Sequence, residues 1–162
     1  KGFAMTGWRV GYIGAPEWLA KACDKMQGQF TSGTCSIAQR ACIEALNGDM
    51  TPTWEMRDAY KRRRDLVLDL LKDIDGVKTY IPKGAFYIFP DVSSFFNKKS
   101  PEGEVIKDAT DLSMYLLADA NVSVVTGDAF GASSCIRISF AASDEELKEA
   151  MRRIKSSLEK LA

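Results

Sequence analysis

The sequence predicts an α/β chain in which helices alternate with short strands. Along several stretches apolar residues recur three or four positions apart, which is the spacing of one helix face. Between these stretches lie short runs rich in valine, isoleucine and aromatic residues, which favour strands. Glycine, proline and asparagine separate the two kinds of segment. With 162 residues and 46% hydrophobic content, the chain can enclose a core, and the alternation indicates the α/β class.

The first third of the chain predicts one strand and two helices. Residues 8–14, WRVGYIG, are mostly apolar and predict a strand that ends before Pro16. Residues 17–30 have helical spacing and predict a helix that begins next to this proline. Residues 36–46, SIAQRACIEAL, predict a second helix, which ends at an Asn-Gly pair because glycine commonly follows the last helical residue.

The middle of the chain predicts a long helix and then two strands. The helix is expected to begin after Thr51 and to end near Gly76. Residues 77–81 and 86–89 predict the strands, with a Pro-Lys-Gly turn between them. The aromatic residues of the second strand are predicted to pack in a core: Phe86, Tyr87 and Phe89.

The last third predicts a loop, two helices and two strands. Residues 97–108 are polar and predict an exposed loop, and residues 110–120 predict a helix. The β-branched runs at residues 122–126 and 135–140 predict strands. A final helix is expected after Ser143, because a serine followed by acidic residues is a typical helix start.

The distribution of these elements predicts two domains. Residues 1–50 contain too few elements to cover a strand on both faces, as a parallel sheet requires. They are therefore predicted to be the end of a larger α/β domain, and the chain is predicted to be a fragment. Residues 51–162 contain enough strands and helices for a compact smaller domain.

Composition excludes several classes of function. Lys plus Arg and Asp plus Glu each number 22, so the chain lacks the basic excess that phosphate backbones attract. No apolar run approaches the ~20 residues that span a bilayer. The cysteines follow no metal-ligand spacing and predict neither a zinc site nor a disulfide framework, which favours a reduced, cytoplasmic setting. They are Cys23, Cys35, Cys42 and Cys135.

The chain contains no histidine, which limits its acid–base chemistry. Proton transfer near neutral pH would need a lysine, carboxylate, cysteine or tyrosine in a suitable environment. Desolvation or a neighbouring cation lowers the pKa of a lysine, so a lysine can take this role. Lys1 is the first candidate.

The opening segment, KGFAMTGWRVGY, resembles the lysine segment of fold-type I pyridoxal-phosphate-dependent aminotransferases, the class that includes aspartate aminotransferase. In that family an arginine follows the lysine by eight positions, through a Met-Thr-Gly-Trp-Arg run like residues 5–9 here. Three further stretches resemble later family segments, in family order: QFTSGTCSIAQRACIEAL, PKGAFYIFPDVS, and VVTGDAFG with CIRISFAAS. The four stretches cover the chain nearly end to end.

The resemblance implies a cofactor and three site residues. Lys1 is expected to form the Schiff base with the aldehyde of pyridoxal 5'-phosphate and to be the catalytic amine that moves a proton. Arg9 is expected to bind the cofactor phosphate. Arg137 is expected to pair bidentately with the substrate α-carboxylate. A homodimer is also implied, because active sites of the family borrow residues from a second subunit; no metal is implied.

The resemblance further implies a fold and an activity. Residues 1–50 would end the large parallel-sheet domain, and residues 51–162 would form the C-terminal small domain, an α/β sandwich. The implied reaction exchanges an amino group between an amino acid, with aspartate favoured, and a 2-oxo acid. The alternatives are a carbon–sulfur lyase on the same scaffold and an inactive binding module. The family residues that hold the cofactor ring precede the lysine, so the 162 residues alone are expected to be inactive.

Overall fold

The computed structural model describes residues 1–162, which form two compact units. The first unit is Lys1–Arg57 and the second unit is Asp58–Ala162. Helices and a small sheet make up the chain, so the predicted α/β class is confirmed. None of the five helices combines the length and the apolar character that a membrane-spanning segment requires.

Helices dominate the first unit. Helix α1 spans Glu17–Phe30, α2 spans Ser36–Asn47, and α3, Thr51–Lys72, begins in this unit and continues into the second. Both helices predicted before residue 50 are therefore confirmed. Only one hydrophobic side chain of this unit, Ala38, is buried. Large apolar side chains are exposed along its helices: Trp18, Met26, Phe30, Ile37, Ile43 and Trp54.

The strand predicted at residues 8–14 is wrong. A short 3-10 helix, Thr6–Trp8, opens this stretch, and the residues after it form no strand. A strand is defined by hydrogen bonds to a neighbouring strand, and all the strands of the chain lie in the second unit. Apolar composition alone therefore predicted an element that has no pairing partner among these residues.

The second unit is built on a three-stranded antiparallel sheet. Its strands are β1, Tyr87–Ile88, β2, Val125–Thr126, and β3, Ile136–Ser139, in the order β1-β3-β2. The register aligns Tyr87 with Ser139 and Val125 with Arg137. Because β3 is central, both of its neighbours fix its position.

The sheet has one buried and one open face. Ile88, Ile136 and Ile138 are buried on the core side. Arg137 and Ser139 alternate with these isoleucines and lie on the opposite side, since successive strand residues point to opposite faces. Arg137 therefore lies outside the apolar core of the second unit.

Helices cover the core side of this sheet. Helix α4, Ala109–Ala120, and helix α5, Asp144–Leu158, pack against each other and bury apolar faces in one cluster with the second half of α3. Phe140 is among the largest fully buried side chains. All three helices contribute other buried members, among them Val67, Leu71, Leu112, Leu116, Met151 and Ile154.

The predicted strands of the second unit are shorter than expected. Residues 77–81 form only one isolated bridge, Lys78 with Asp91, and residues 122–126 form a strand only at Val125–Thr126. The loop at residues 97–108 contains a bridge between Lys99 and Val105. Sequence alone overestimates these strands because β-branched residues favour extended backbone whether or not a partner is present.

Ser143 caps the start of α5, as predicted, and it does so within a capping box. The Ser143 side chain accepts a hydrogen bond from the Glu146 amide, and the Glu146 carboxylate accepts one from the Ser143 amide. Asp144, in the first turn, pairs with Arg62 and Arg63 of α3, each at 3.2 Å. The cap and the ion pairs together fix the start of α5 against α3.

Candidate functional site

A cleft of about 320 Å³ lies in the first unit. It is lined by residues of the opening segment, among them Lys1, Met5 and Tyr12, and by Cys42 and Leu46 of α2. Its volume is at the lower end of the range for small-molecule sites, about 300–1,000 Å³. Lys1 is the one charged residue that lines it, so a primary amine borders a largely apolar cleft.

The backbone around Lys1 is tightly turned. Ala4 donates a hydrogen bond from its amide to the Lys1 carbonyl at 2.9 Å, and Ala4 has a φ of 53°. The turn brings residues 1–5 to one wall of the cleft. Lys1 itself is exposed at the rim, so these residues alone do not enclose its amine.

Arg9 lies outside this cleft. It follows the 3-10 helix in left-handed conformation, with a φ of 51°, and its Nη1 donates to the Thr6 carbonyl at 3.1 Å. The side chain is exposed, which leaves the other N–H groups of the guanidinium able to bind an anion. The structure therefore locates both predicted cofactor residues in one unit but brings only Lys1 to the cleft.

Arg137 lies in the second unit, on the open face of the sheet. Its guanidinium carbon is 4.4 Å from the ring centre of Tyr87 and 4.4 Å from that of Phe130. The guanidinium makes no hydrogen bond or ion pair within the chain. A half-buried cation between two rings, without a counter-ion, can accept a carboxylate from outside.

A tight turn after β2 presents Phe130. Residues Gly127–Phe130 form a 3-10 helix. Thr126 is its N-cap and Gly131, whose φ is 72°, is its C-cap. A Cβ on Gly127 would lie 2.0 Å from the Ala132 carbonyl oxygen, so only glycine fits. Phe89 packs edge-on against Phe130 with ring centres 5.9 Å apart and supports the ring.

Sequence reasoning missed the two rings beside Arg137. Tyr87 was predicted to pack in the core, but it faces the side of the sheet opposite to the buried Ile88; of the three aromatic residues, Phe86 packs against the core. The signal was available, because Tyr87 is out of phase with Ile88 in a period-two pattern. No comparable signal indicates Phe130, whose location depends on the turn.

Comparison with known proteins decides the family. The family model described as aminotransferase class I and II matches residues 1–154. The chain belongs to this family. Class I and II aminotransferases depend on pyridoxal phosphate, and the predicted family relationship is confirmed.

Individual aminotransferases are similar over the whole chain. An aspartate aminotransferase from Rhizobium meliloti (strain 1021) is 47% identical over 162 residues, which are 100% of this chain and 40% of the relative. A bifunctional aspartate aminotransferase and glutamate/aspartate-prephenate aminotransferase from Petunia hybrida is 45% identical, over 98% of this chain and 34% of the relative.

A solved aminotransferase structure has the same fold. The crystal structure of the aspartate aminotransferase from Rhizobium meliloti matches with a TM-score of 0.90 at 47% identity, over 100% of this chain and 40% of that chain. The chain thus spans about 40% of the length of these Rhizobium relatives.

Proposed function

We propose that this chain supplies the cofactor lysine and two anion-binding arginines of an aminotransferase that exchanges an amino group between an amino acid and a 2-oxo acid. The family match over residues 1–154 carries the proposal. Aspartate is the proposed amino donor, because relatives that are 47% and 45% identical are named aspartate aminotransferases. The apolar cleft beside Lys1 and the aromatic contacts of Arg137 each support the role assigned to that residue.

The residues present fit pyridoxal 5'-phosphate at its aldehyde end. Lys1 offers a primary amine on an apolar cleft, and a primary amine is the group that condenses with an aldehyde. Arg9 offers a planar cation for the phosphate, with donors beyond the one bound to Thr6. When bound, the cofactor supplies an electron sink for the carbanion left at the substrate Cα.

Lys1 is also the proposed proton carrier. The chain has no histidine, so a lysine amine beside the reacting carbon is a suitable group to take the Cα proton and return it. A primary amine can do this only after it is released from the cofactor. The same Nζ atom would therefore hold the cofactor in one stage and move the proton in the next.

Arg137 is the proposed receptor for the substrate α-carboxylate. Its fork of N–H donors matches two carboxylate oxygens, and no acidic side chain of the chain occupies it. Holding the carboxylate fixes the orientation of the Cα–H bond that must break. A fixed orientation raises the rate of Cα–H cleavage, because the bound substrate loses less conformational freedom when it reaches the transition state.

A chimera tests the proposed function. These 162 residues would replace the matching stretch of the Rhizobium meliloti aspartate aminotransferase, which covers 100% of this chain. The chimera should show the visible absorbance of lysine-bound cofactor and transaminate aspartate with 2-oxoglutarate. Lys1→Ala should abolish the absorbance and lower kcat by about 100- to 10,000-fold, the usual contribution of a proton-transfer residue.

The chimera has a matched control and a contradicting result. Lys21→Ala removes another exposed lysine of the first unit, one that pairs with Glu17, and should leave absorbance and kcat unchanged. If the visible band persists in Lys1→Ala, another residue binds the cofactor and the assignment of Lys1 is wrong. Cystathionine in the same assay separates carbon–sulfur lyase chemistry from amino transfer.

We also propose that the active protein is a cytoplasmic homodimer. The exposed apolar side chains of α1 and α2, such as Trp18, Phe30 and Ile37, support a further contact surface, because such groups gain free energy on burial. Four free cysteines fit a reducing compartment. Ultracentrifugation of the native protein should give a dimer mass, and cell fractionation should recover it with cytoplasmic markers.

The proposed domain organisation assigns residues 1–50 to the end of a large cofactor-binding domain and residues 51–162 to the small domain. The division into Lys1–Arg57 and Asp58–Ala162 supports an organisation in two parts. Limited proteolysis should cut first at residues 48–50, the non-helical segment between α2 and α3 that is nearest to this division. Cuts that occur only elsewhere in the chain would contradict the proposed domain organisation.

A further inference from the structure

We propose that Tyr87 and Phe130 are positioning residues that hold the Arg137 guanidinium in one orientation and so set the affinity for the substrate carboxylate. The inference rests on the proposed function, in which Arg137 receives that carboxylate. Neither aromatic residue is required to touch the substrate. Both act through the arginine that lies between them.

The contacts favour an orienting role over general packing. Each ring centre lies 4.4 Å from the guanidinium carbon, well within the ~6 Å that defines a cation–π contact. Phe130 is 50% exposed, so burial in the core does not account for its location. Its contact with the Arg137 guanidinium explains this location instead.

Arg137 has no counter-ion, so the rings of Tyr87 and Phe130 are the groups that hold its guanidinium. Other half-buried arginines of the second unit are held by acceptors: Arg63 pairs with Asp144, and Arg64 pairs with Asp65. Arg137 has rings in place of a carboxylate. Rings attract a cation without using its N–H donors, so the side chain is immobilised while its donors stay available for a ligand.

The two rings are fixed by separate elements on either side of β3. Tyr87 lies on β1 opposite Ser139, which puts it diagonally across from Arg137 on the same face of the sheet. Phe130 ends the turn that follows β2, and Phe89 supports it from the edge. Because both supports are hydrogen-bonded or packed to the same small sheet, the guanidinium has little freedom to turn.

Kinetics of the chimeric holoenzyme test this inference. Tyr87→Leu and Phe130→Leu remove one ring each, and each should raise the KM for aspartate by about 3- to 30-fold, the range expected for one cation–π contact. The effect on kcat should be smaller, and the visible cofactor band should be unchanged. Tyr87→Phe and Phe130→Tyr keep a ring and should restore a KM close to that of the unsubstituted chimera.

A matched control removes a ring that does not touch Arg137. Tyr80 is 84% exposed and precedes β1, and Tyr80→Leu should leave KM unchanged. Unchanged KM in both Leu variants at Tyr87 and Phe130 overturns the inference but not the proposed function, which the activity of the unsubstituted chimera supports. An inactive chimera without a cofactor band overturns the proposed function, and the inference with it.

Nuclear magnetic resonance gives a readout that is independent of activity. In the 162-residue chain, ring currents from two faces should shift the Arg137 side-chain protons upfield, unlike those of exposed Arg152. Phe130→Leu should remove part of this shift and Phe130→Tyr should keep it. Side-chain shifts of Arg137 that match those of Arg152 in the unsubstituted chain overturn the inference, because the guanidinium is then not held between the rings.

Discussion

Gly127 is the backbone position on which the turn beneath Phe130 depends. An added Cβ would meet two carbonyl oxygens, at 2.0 Å for Ala132 and 2.4 Å for Cys135, and neither belongs to a flexible side chain. We expect Gly127→Ala to lower the free energy of unfolding by at least about 2 kcal/mol, since the backbone must shift to relieve the overlap. Urea unfolding would measure the change.

A second glycine gives the matched control. Gly84 has no atom within 4 Å of an added Cβ and has no positive φ, so Gly84→Ala should change the unfolding free energy by less than about 1 kcal/mol. If both variants lost the same unfolding free energy, the close contacts at Gly127 would not be the cause of its loss.

Arg137 illustrates why a lysine cannot replace an arginine at this position. A lysine ammonium lacks the planar fork, so it cannot bind a carboxylate through two parallel hydrogen bonds. In the chimera, Arg137→Lys should lower kcat/KM by about 10- to 150-fold, equivalent to losing one charge-assisted hydrogen bond. Arg152→Lys, an exposed arginine paired with Glu149, should have no effect.

At the residue scale, the sequence predicted candidates better than it predicted their surroundings. Lys1, Arg9 and Arg137 could be proposed because each is a cation within a characteristic local run. The residues that surround each of these cations could not be predicted. The Lys1 cleft needs residues of α2, and the Arg137 site needs a ring from a turn, so both depend on contacts between segments distant in sequence.

At the element scale, the cap of α5 carries a measurable share of stability. Ser143 and Glu146 satisfy each other's backbone amides, and the hydrogen bond from the Ser143 amide is the main cause that lowers the pKa of the Glu146 carboxyl. Ser143→Ala should destabilise the second unit by about 1 kcal/mol, the usual loss of an N-cap. Thermal unfolding followed by circular dichroism would measure it.

Ser156→Ala is the control for the cap. It changes an exposed serine within the same helix, where alanine is the better helix former, so a small gain of up to about 0.5 kcal/mol is expected. If both variants lost the same amount of stability, the capping box would not be the cause of the loss in Ser143→Ala.

Helices were predicted more accurately than strands for a physical reason. A helix satisfies its own hydrogen bonds, so local spacing largely defines α1, α2, α4 and α5, and side-chain N-caps help to define α4 and α5. A strand takes its bounds from a partner elsewhere in the chain. This is why residues 8–14 and 77–81, although both are rich in residues that favour strands, do not form strands here, whereas β3 with two partners does.

At the scale of the whole molecule, acid should destabilise the packing of α4 against α5. Asp119 of α4 accepts hydrogen bonds from Lys160 and Ser157, and the Lys160 bond is the main cause that lowers the Asp119 pKa below its ordinary value of 3.8. A lowered pKa in the folded state stabilises the fold above the unfolded pKa. That contribution is lost as pH falls through the folded value, below 3.8.

Asp119→Asn tests this dependence. The variant should be less stable than the unsubstituted chain near neutral pH. The difference should be smaller at about pH 3, below the ordinary pKa of 3.8, because protonation of the unfolded carboxyl reduces the contribution of the charge to stability. Urea unfolding at both pH values would measure it. Asp75→Asn, at an exposed position in the same unit, should keep the wild-type pH dependence, and a constant Asp119→Asn difference at all pH values would contradict the role of the carboxylate charge.

The central strand of the sheet also constrains how the gene can change. Side chains in β3 alternate strictly, with Ile136 and Ile138 inward and Arg137 outward. Deleting or inserting one codon between the two flanking pairings would reverse that parity, driving a guanidinium into hydrocarbon and two isoleucines into water. A point change at the outward Ser139 keeps this parity, whereas frame-preserving indels within this strand should be eliminated.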